Sequence, residues 1–432
     1  MANRTQQAEV LVVGAGPAGM AAACCASEAG GQVALMDDNP APGGQIWRGR
    51  TRQSSNRQAA DWLQRLHQSE VSVLAGARVI ARVGPNRLAV ETEESSFQME
   101  FQKLILATGA RERFLPFPGW TLPNVAGAGG LQALVKSGLP IQGKKVVVAG
   151  SGPLLLAVAA FLVGKGADVR TVAEQAPMSR LLRFAGSLAG QPSKIWQSVA
   201  LKAMLMGVPY RTGCWPVRAK GQAKLSSVEL QQGRRRWEIP CDCLACGFGL
   251  APNLELPAHL GCEQSQGFVK VDEFQQTSLD GVYCAGEPTG IGGLDLALVE
   301  GQIAGLAAAD QPDDARSLFR QRSRWQRFAG SLERAFALRP ELKQLPQPST
   351  LVCRCEDVAM ERLQNCSGWR EAKLHTRCGM GSCQGRVCGN ATEFLFGWIP
   401  RSVRPPVFPA RLETLAGSRR GTESSERDGR DF

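Results

Sequence analysis

The residues best suited to chemistry lie near the C-terminus, in VCRCEDV and TRCGMGSCQGRVCG. Cys353 and Cys355 form a C-x-C pair, Cys383 and Cys388 a C-x4-C pair, and 27 residues separate Cys355 from Cys383. Four thiolates from two loops are what a [2Fe-2S] cluster requires, because each of its two irons takes two soft sulfur ligands from the protein. Glycines at 379, 381, 385 and 389 let backbone N–H groups approach those sulfurs. A four-cysteine zinc site is the competing reading. The C-x-C spacing favours iron, as do the nucleotide-type motifs upstream. Cys378 stands beside the second pair, so a ligand set in which it replaces Cys383 is an open alternative. Cys366 reads as structural.

A second constellation opens the chain, in EVLVVGAGPAGMAAACCASEAGGQVALMDD. The apolar run at 10–13 reads as a buried parallel strand, Gly14, Gly16 and Gly19 follow at G-x-G-x-x-G spacing, and an alanine-rich helix begins at once. Gly14 permits a tight turn, Gly16 lets backbone approach a pyrophosphate, and Gly19 lets helix pack on strand. Free N–H groups at the helix start then face the phosphates. Asp37, closing the next strand eighteen residues past Gly19, is placed for ribose hydroxyls. The loop NPAPGGQIWRGR brings Gly43, Gly44 and Gln45 along the same ligand. A further buried strand, 104–107, stops on Thr108-Gly109. Another, 282–285, ends on Gly286-Glu287 before a glycine-rich turn and a helix over 294–306, as the second half of a dinucleotide site would.

KKVVVAGSG at 144–152 repeats the pattern, with a helix after it and a strand at 169–172 ending near Glu174. Its third glycine position is Leu155, which costs close helix–strand packing and crowds a pyrophosphate. This repeat is therefore either a nicotinamide site or a fold that has lost its ligand. Arg180 and Arg183 stand where a 2′-phosphate is met, or simply face solvent. Cys243 and Cys246 make a formal C-x-x-C, but in an apolar strand alternation sends them to opposite faces as packing residues; Cys24 and Cys25 in the first helix read the same way.

The elements that must position these groups alternate strand and helix, which predicts parallel sheets. Short strands at 71–74, 79–83, 87–91 and 97–101 look like an antiparallel excursion, and 182–207 reads as helix. At 432 residues and 44% hydrophobic content the chain has material for several domains. The net charge of +11 is spread along it, with only two tyrosines, which argues against a nucleic-acid groove. The longest apolar run, 154–163, falls short of the roughly 20 residues of a membrane span, and no signal pattern precedes Val10, so the cytoplasm is expected. Fourteen cysteines there point to metal or redox use. The histidines His67, His259 and His375 lie outside every motif, and no substrate acid–base pair accompanies the glycine motifs, so no catalytic residue is assigned.

ATGARERFLPFPGWTLPNV, GSGPLLLAVA, CGFGLAPN and GEPTGIGG together resemble the family of FAD-dependent large subunits found in opine oxidase, hydrogen cyanide synthase and, as the alpha chain, (hydroxy)proline dehydrogenase. The C-terminal segment is similar to the bacterioferritin-associated ferredoxin-like domain of those large subunits. The resemblance implies an α/β fold with two nested Rossmann-like domains of the FAD/NAD(P)-linked reductase type and a small Cys-rich iron-sulfur domain. It implies FAD contacts from Gly14, Gly16, Pro17, Ala18, Gly19, Asp37, Gly44, Gln45, Thr108, Gly109, Gly286 and Glu287, and a cluster on Cys353, Cys355, Cys383 and Cys388. It argues against NAD(P)H use. It further implies an electron relay from an amino-acid-oxidase-like flavoprotein subunit, with a small ferredoxin-like subunit and membrane association only through the complex. A self-contained NAD(P)H-dependent reductase is the alternative, and a zinc-stabilised binding or sensor protein a third reading. The expected layout is a flexible 1–7, FAD-binding parts at 8–118 and 276–312, an NAD(P)-binding-like domain at 119–275, a helical connector at 313–348, the [2Fe-2S] domain at 349–400, an extended arm at 401–417 and a disordered tail at 418–432.

Overall fold

A computed structural model describes residues 5–48, 56–188, 191–399 and 403–416; the expected tail from 418 and the first four residues lie outside them. The described residues fall into two compact units, one from 5–110, 252–329 and the C-terminal arm, the other from 111–251 and 330–399.

In the first unit the apolar run predicted as a strand pairs on both sides. Thr5–Val13 lies parallel to Val33–Asp37 and to Ser96–Leu106. Residues 5–7, expected to be flexible, extend this strand, because Thr5, Gln6 and Gln7 stand opposite Gln98, Met99 and Glu100. Ser96–Leu106 serves two neighbours. Its C-terminal half runs parallel to Val282–Cys284, while its N-terminal half pairs antiparallel with Arg87–Glu91 and, through it, Arg78–Gly84. The strand expected at 71–74 does not join that antiparallel part. Ser72–Ala75 is instead the parallel edge beside Val33–Asp37, as a strand returning from the helix Arg57–Gln68 must be.

Helices Pro17–Glu28 and Leu294–Ala308 cover this sheet, and small residues decide how closely they meet. A Cβ on Gly301 would strike the carbonyl of Ala18, and one on Gly305 that of Ala22. Both helices thus present a small-residue row at i, i+4 spacing, which brings backbone onto backbone. The arm at 403–416 straps the antiparallel side: Val407 N donates to Ile80 O at 2.7 Å, and the Arg411 guanidinium donates to the carbonyls of Thr92, Glu93 and Ser95.

The second unit carries a five-stranded parallel sheet in the order Tyr210–Thr212, Asp168–Glu174, Lys145–Ser151, Cys243–Phe248, Val125–Gly127. A three-stranded antiparallel sheet, Cys214–Gly221, Leu225–Gln232 and Arg235–Pro240, packs beside it. Cys243 and Cys246 are buried in different core clusters on opposite faces of the central strand, as alternation requires. The segment expected as one helix divides into Met178–Ser187 and Pro192–Met204, the second opened by Pro192. Beyond the helix Phe319–Phe336, the cysteine-rich part folds as a strand pair, Leu351–Cys353 with Val358–Ala359, and three helices, Met360–Leu363, Trp369–Thr376 and Cys388–Phe396.

Candidate functional site

The first crevice forms where the opening strand hands over to Pro17–Glu28. Gly14 has φ +107°, and a Cβ there would collide with the carbonyl of Ala107; a Cβ on Gly19 would collide with the carbonyl of Gly14. These two glycines are demanded by packing. Gly16 has an ordinary φ of −73° and nothing within 4 Å of its Cβ position, so its freedom is open space at the helix start. Gly44 sits over it, a Cβ there coming within 2.9 Å of the Gly16 Cα. Gly286 faces Ala18, its would-be Cβ 2.9 Å from the Ala18 Cβ. Gly14, Gly16, Pro17, Ala18, Gly19, Gly44 and Gly286 therefore converge on one helix N-terminus, where backbone N–H groups and the helix dipole favour an anion.

Asp37, half-exposed at its strand end, accepts from Ala15 N at 2.5 Å and from Asn39 N at 2.8 Å. Thr108 Oγ1 donates to Asn253 O at 2.7 Å and Asn253 Nδ2 returns a bond to Thr108 O at 2.8 Å, which fixes the strand end before Gly109. Gln45 is exposed at the surface of its loop. Two buried polar atoms here find no partner: Oε2 of Glu287 and Nε1 of Trp47. An orphaned carboxylate oxygen beside an open glycine crossing is what a bound dinucleotide's hydroxyls would satisfy, so the residues present fit FAD. Burial pushes the Glu287 carboxyl up to about 7 despite the Gly293 amide it accepts at 3.1 Å. Glu300, one helical turn and more along the covering helix, escapes the sequence reading. It is fully buried, accepts from Gly286 N at 3.0 Å and Thr289 Oγ1 at 2.8 Å, and is likewise raised to about 7 by burial. The only sequence signal for it is an acid in the middle of the apolar, small-residue run LALVEGQIAG.

In the second fold Gly150 has φ +136° and abuts the carbonyl of Gly247, while Gly152 has open space. Leu155 is buried in the core beneath the sheet. Glu174 is wholly buried and turned inward, accepting from Gly152 N and Ala176 N, both at 2.8 Å; burial raises it to about 7.

Among the described residues the one group of thiols able to hold a metal is Cys353, Cys378 and Cys388, whose sulfurs all lie within 4.8 Å of one another. Cys353 and Cys388 belong to the expected ligand set; Cys378 is its alternative member. Cys355 is exposed, because the strand ends at Cys353 and the turn that follows swings the second thiol of the C-x-C outward; Ser382 Oγ lies 3.9 Å from it. Cys383 is half-buried in the turn before the helix Cys388–Phe396. The glycines do more than admit N–H groups: Gly379 and Gly385, at φ +80° and +79°, lie flat against the Trp369 ring, and Gly381 against the Cys355 Cβ. Thiol donation from Cys378 and Cys388, reinforced by the amides of Gly379 and Glu356, pulls Cys353 far below the thiol range. Of the three, Cys353 is the thiol whose surroundings favour the thiolate, the form that binds metal. Three converging thiols with two more on the same short segments fit an iron-sulfur or zinc site.

Two glycine-crossed parallel sheets, one with an orphaned acid at its crossing, make a two-dinucleotide fold of the FAD/NAD(P)-linked reductase type. The chain belongs to the pyridine nucleotide-disulphide oxidoreductase family, whose model matches residues 8–304, and it is an FAD-dependent oxidoreductase. It is 32% identical to an opine oxidase subunit of Agrobacterium tumefaciens over 94% of this chain and 91% of that one. It is 31% identical to the HcnB subunit of hydrogen cyanide synthase from Pseudomonas protegens, over 92% and 96%. The fold is shared with L-proline dehydrogenase from P. horikoshii, at a TM-score of 0.69 and 19% identity, covering 95% of this chain and 80% of that one. Among the described residues no helix is long and apolar enough to cross a membrane.

Proposed function

We propose that this chain is the FAD- and [2Fe-2S]-containing electron-transfer subunit of a heteromeric, cytoplasmic dehydrogenase or oxidase acting on an amino acid, an imino acid or an opine. An amino-acid-oxidase-like flavoprotein subunit takes the electrons from substrate, and a small ferredoxin-like subunit completes the assembly. What carries the reading is the presence in one chain of an open glycine crossing with an orphaned acid and of a buried thiol group. Relatives named as subunits, matched over nearly their full length, support it.

FAD accepts electrons in pairs and releases them singly, and the cluster carries one at a time. Gly16 and Gly44 leave room for the pyrophosphate, the amides at the start of Pro17–Glu28 bind it, and Asp37 and Glu287 take hydroxyls. Thr108-Gly109 and Gly286 line the crossing, with Gln45 reaching from its loop. Cys353 and Cys388 anchor the cluster, with Cys355 and Cys383 as the expected remaining ligands and Cys378 as the competitor the packing favours. The test is cofactor content of the anaerobically purified chain: one FAD, two irons and two labile sulfides per chain. A colourless protein containing zinc would overturn it.

A further inference from the structure

In a doubly wound fold the ligand crosses the carboxyl edge of the sheet and meets the residues just past the glycine-bearing strand and just past its neighbour. In the second fold these are Ser151-Gly152 and Gln175-Ala176, and every one is already engaged. Ser151 Oγ donates to Phe336 O at 3.0 Å. Gln175 Nε2 donates to Ser151 Oγ at 2.9 Å and reaches the carbonyls of Ala337 and Phe336 at 3.3 and 3.4 Å, while its Oε1 accepts from Arg339 N at 3.2 Å. Arg180, considered for a 2′-phosphate, donates instead to Ala337 O at 2.9 Å. The Phe336 ring meets Phe184 edge-on at 5.7 Å. Glu174 claims the amides of Gly152 and Ala176. Asp37 in the first fold is half-exposed, whereas Glu174 offers a ligand no open face.

We propose that the second dinucleotide crevice is a socket for the chain's own residues 336–339, which fill the place of a pyridine nucleotide and fasten the thiol-bearing domain to this fold. The fastening continues along the chain. Arg339 lies over the Trp215 ring at 5.0 Å, Leu342 and Leu345 are buried in the core under the antiparallel sheet, and Trp120 Nε1 donates to Leu351 O at 2.6 Å. Arg111 Nε donates to Arg386 O at 3.0 Å, two residues before Cys388. The Rossmann-like repeat has kept Gly150 for sheet packing and exchanged a diffusible ligand for a covalently attached one, whose effective concentration is set by the chain itself.

The experiment is hydrogen exchange on the full chain, with NADH and NADPH as the probes, in wild type and in Gln175→Ala and Phe336→Ala. In wild type, either nucleotide at about 1 mM, far above a micromolar Kd, leaves exchange at 151–155 and 174–180 unchanged. Each substitution speeds exchange across 336–345 about tenfold or more with far-ultraviolet circular dichroism intact, because Gln175→Ala removes the side-chain bonds to Phe336 O, Ala337 O and Arg339 N, and Phe336→Ala removes the ring that packs on Phe184. Saturable protection of 151–155 by a nucleotide, or unchanged exchange at 336–345 in both variants, would overturn the socket. A protein lacking flavin or iron would sink the relay reading and leave these exchange results standing.

Discussion

Gly16→Ala separates the ligand role of the first glycine motif from its packing role. Gly16 caps the helix Pro17–Glu28 with an extended backbone that alanine also adopts, and the new methyl would meet nothing within 4 Å. Two small effects on the flavin-free protein oppose each other. Alanine reduces unfolded-state freedom, a gain of about 0.4–1 kcal/mol, and is a poorer cap than glycine by about 0.3–1.5 kcal/mol. Flavin-free stability therefore stays within about 1 kcal/mol of wild type. The methyl occupies the space left for the pyrophosphate and separates it from the helix amides. Each hydrogen bond to a charged group is worth about 1.5–3 kcal/mol, so losing one weakens FAD binding about tenfold to a hundredfold. The assay pairs flavin fluorescence titration with thermal unfolding of the flavin-free protein. Gly19→Ala is the control: its methyl runs into the Gly14 carbonyl, and the expected outcome is loss of folded protein. Gly16→Ala with native FAD affinity would refute the placement of the cofactor.

Cys353→Ser should abolish the cluster's electron paramagnetic resonance signal while FAD remains bound. In the same assay Cys378→Ser and Cys383→Ser should differ, the true ligand costing the iron and the other leaving two irons per chain. Glu300→Gln should change the pH dependence of stability in flavin-free protein. The folded chain holds this proton up to about pH 7 against an ordinary value near 4.5, so wild-type stability falls as pH rises through that window. The variant lacks the penalty and should gain on wild type by about 3 kcal/mol between pH 4 and pH 8, read by denaturant unfolding. Arg411→Ala should release the arm from Thr92, Glu93 and Ser95 and cost about 1–3 kcal/mol, seen as a lower Tm and faster exchange at 403–416.

The parallel sheets and glycine crossings were legible because strand, glycine and helix must follow one another within a few residues, and a period-2 or 3.6 pattern survives in the letters. Asp37 was readable for the same reason: its place is fixed by its strand. Glu300 and Trp47 were not, since their importance comes from what a distant turn brings against them. The cysteine spacing pointed to a group of thiols able to hold a metal but not to which sulfurs converge, because where the strand ends at Cys353 decides whether Cys355 points in or out. Nothing in the letters FALR at 336–339 showed that this stretch lies across Ser151 and Gln175; that follows from tertiary bonding alone.

The most direct measurement is anaerobic reduction of the purified chain with NADH, NADPH and then dithionite, following flavin bleaching and electron paramagnetic resonance in one sample. The relay account predicts that neither nucleotide bleaches the flavin and that dithionite reduces both centres, with a [2Fe-2S] signal. Rapid bleaching by NADH or NADPH with growth of that signal would contradict it and make the chain a reductase in its own right.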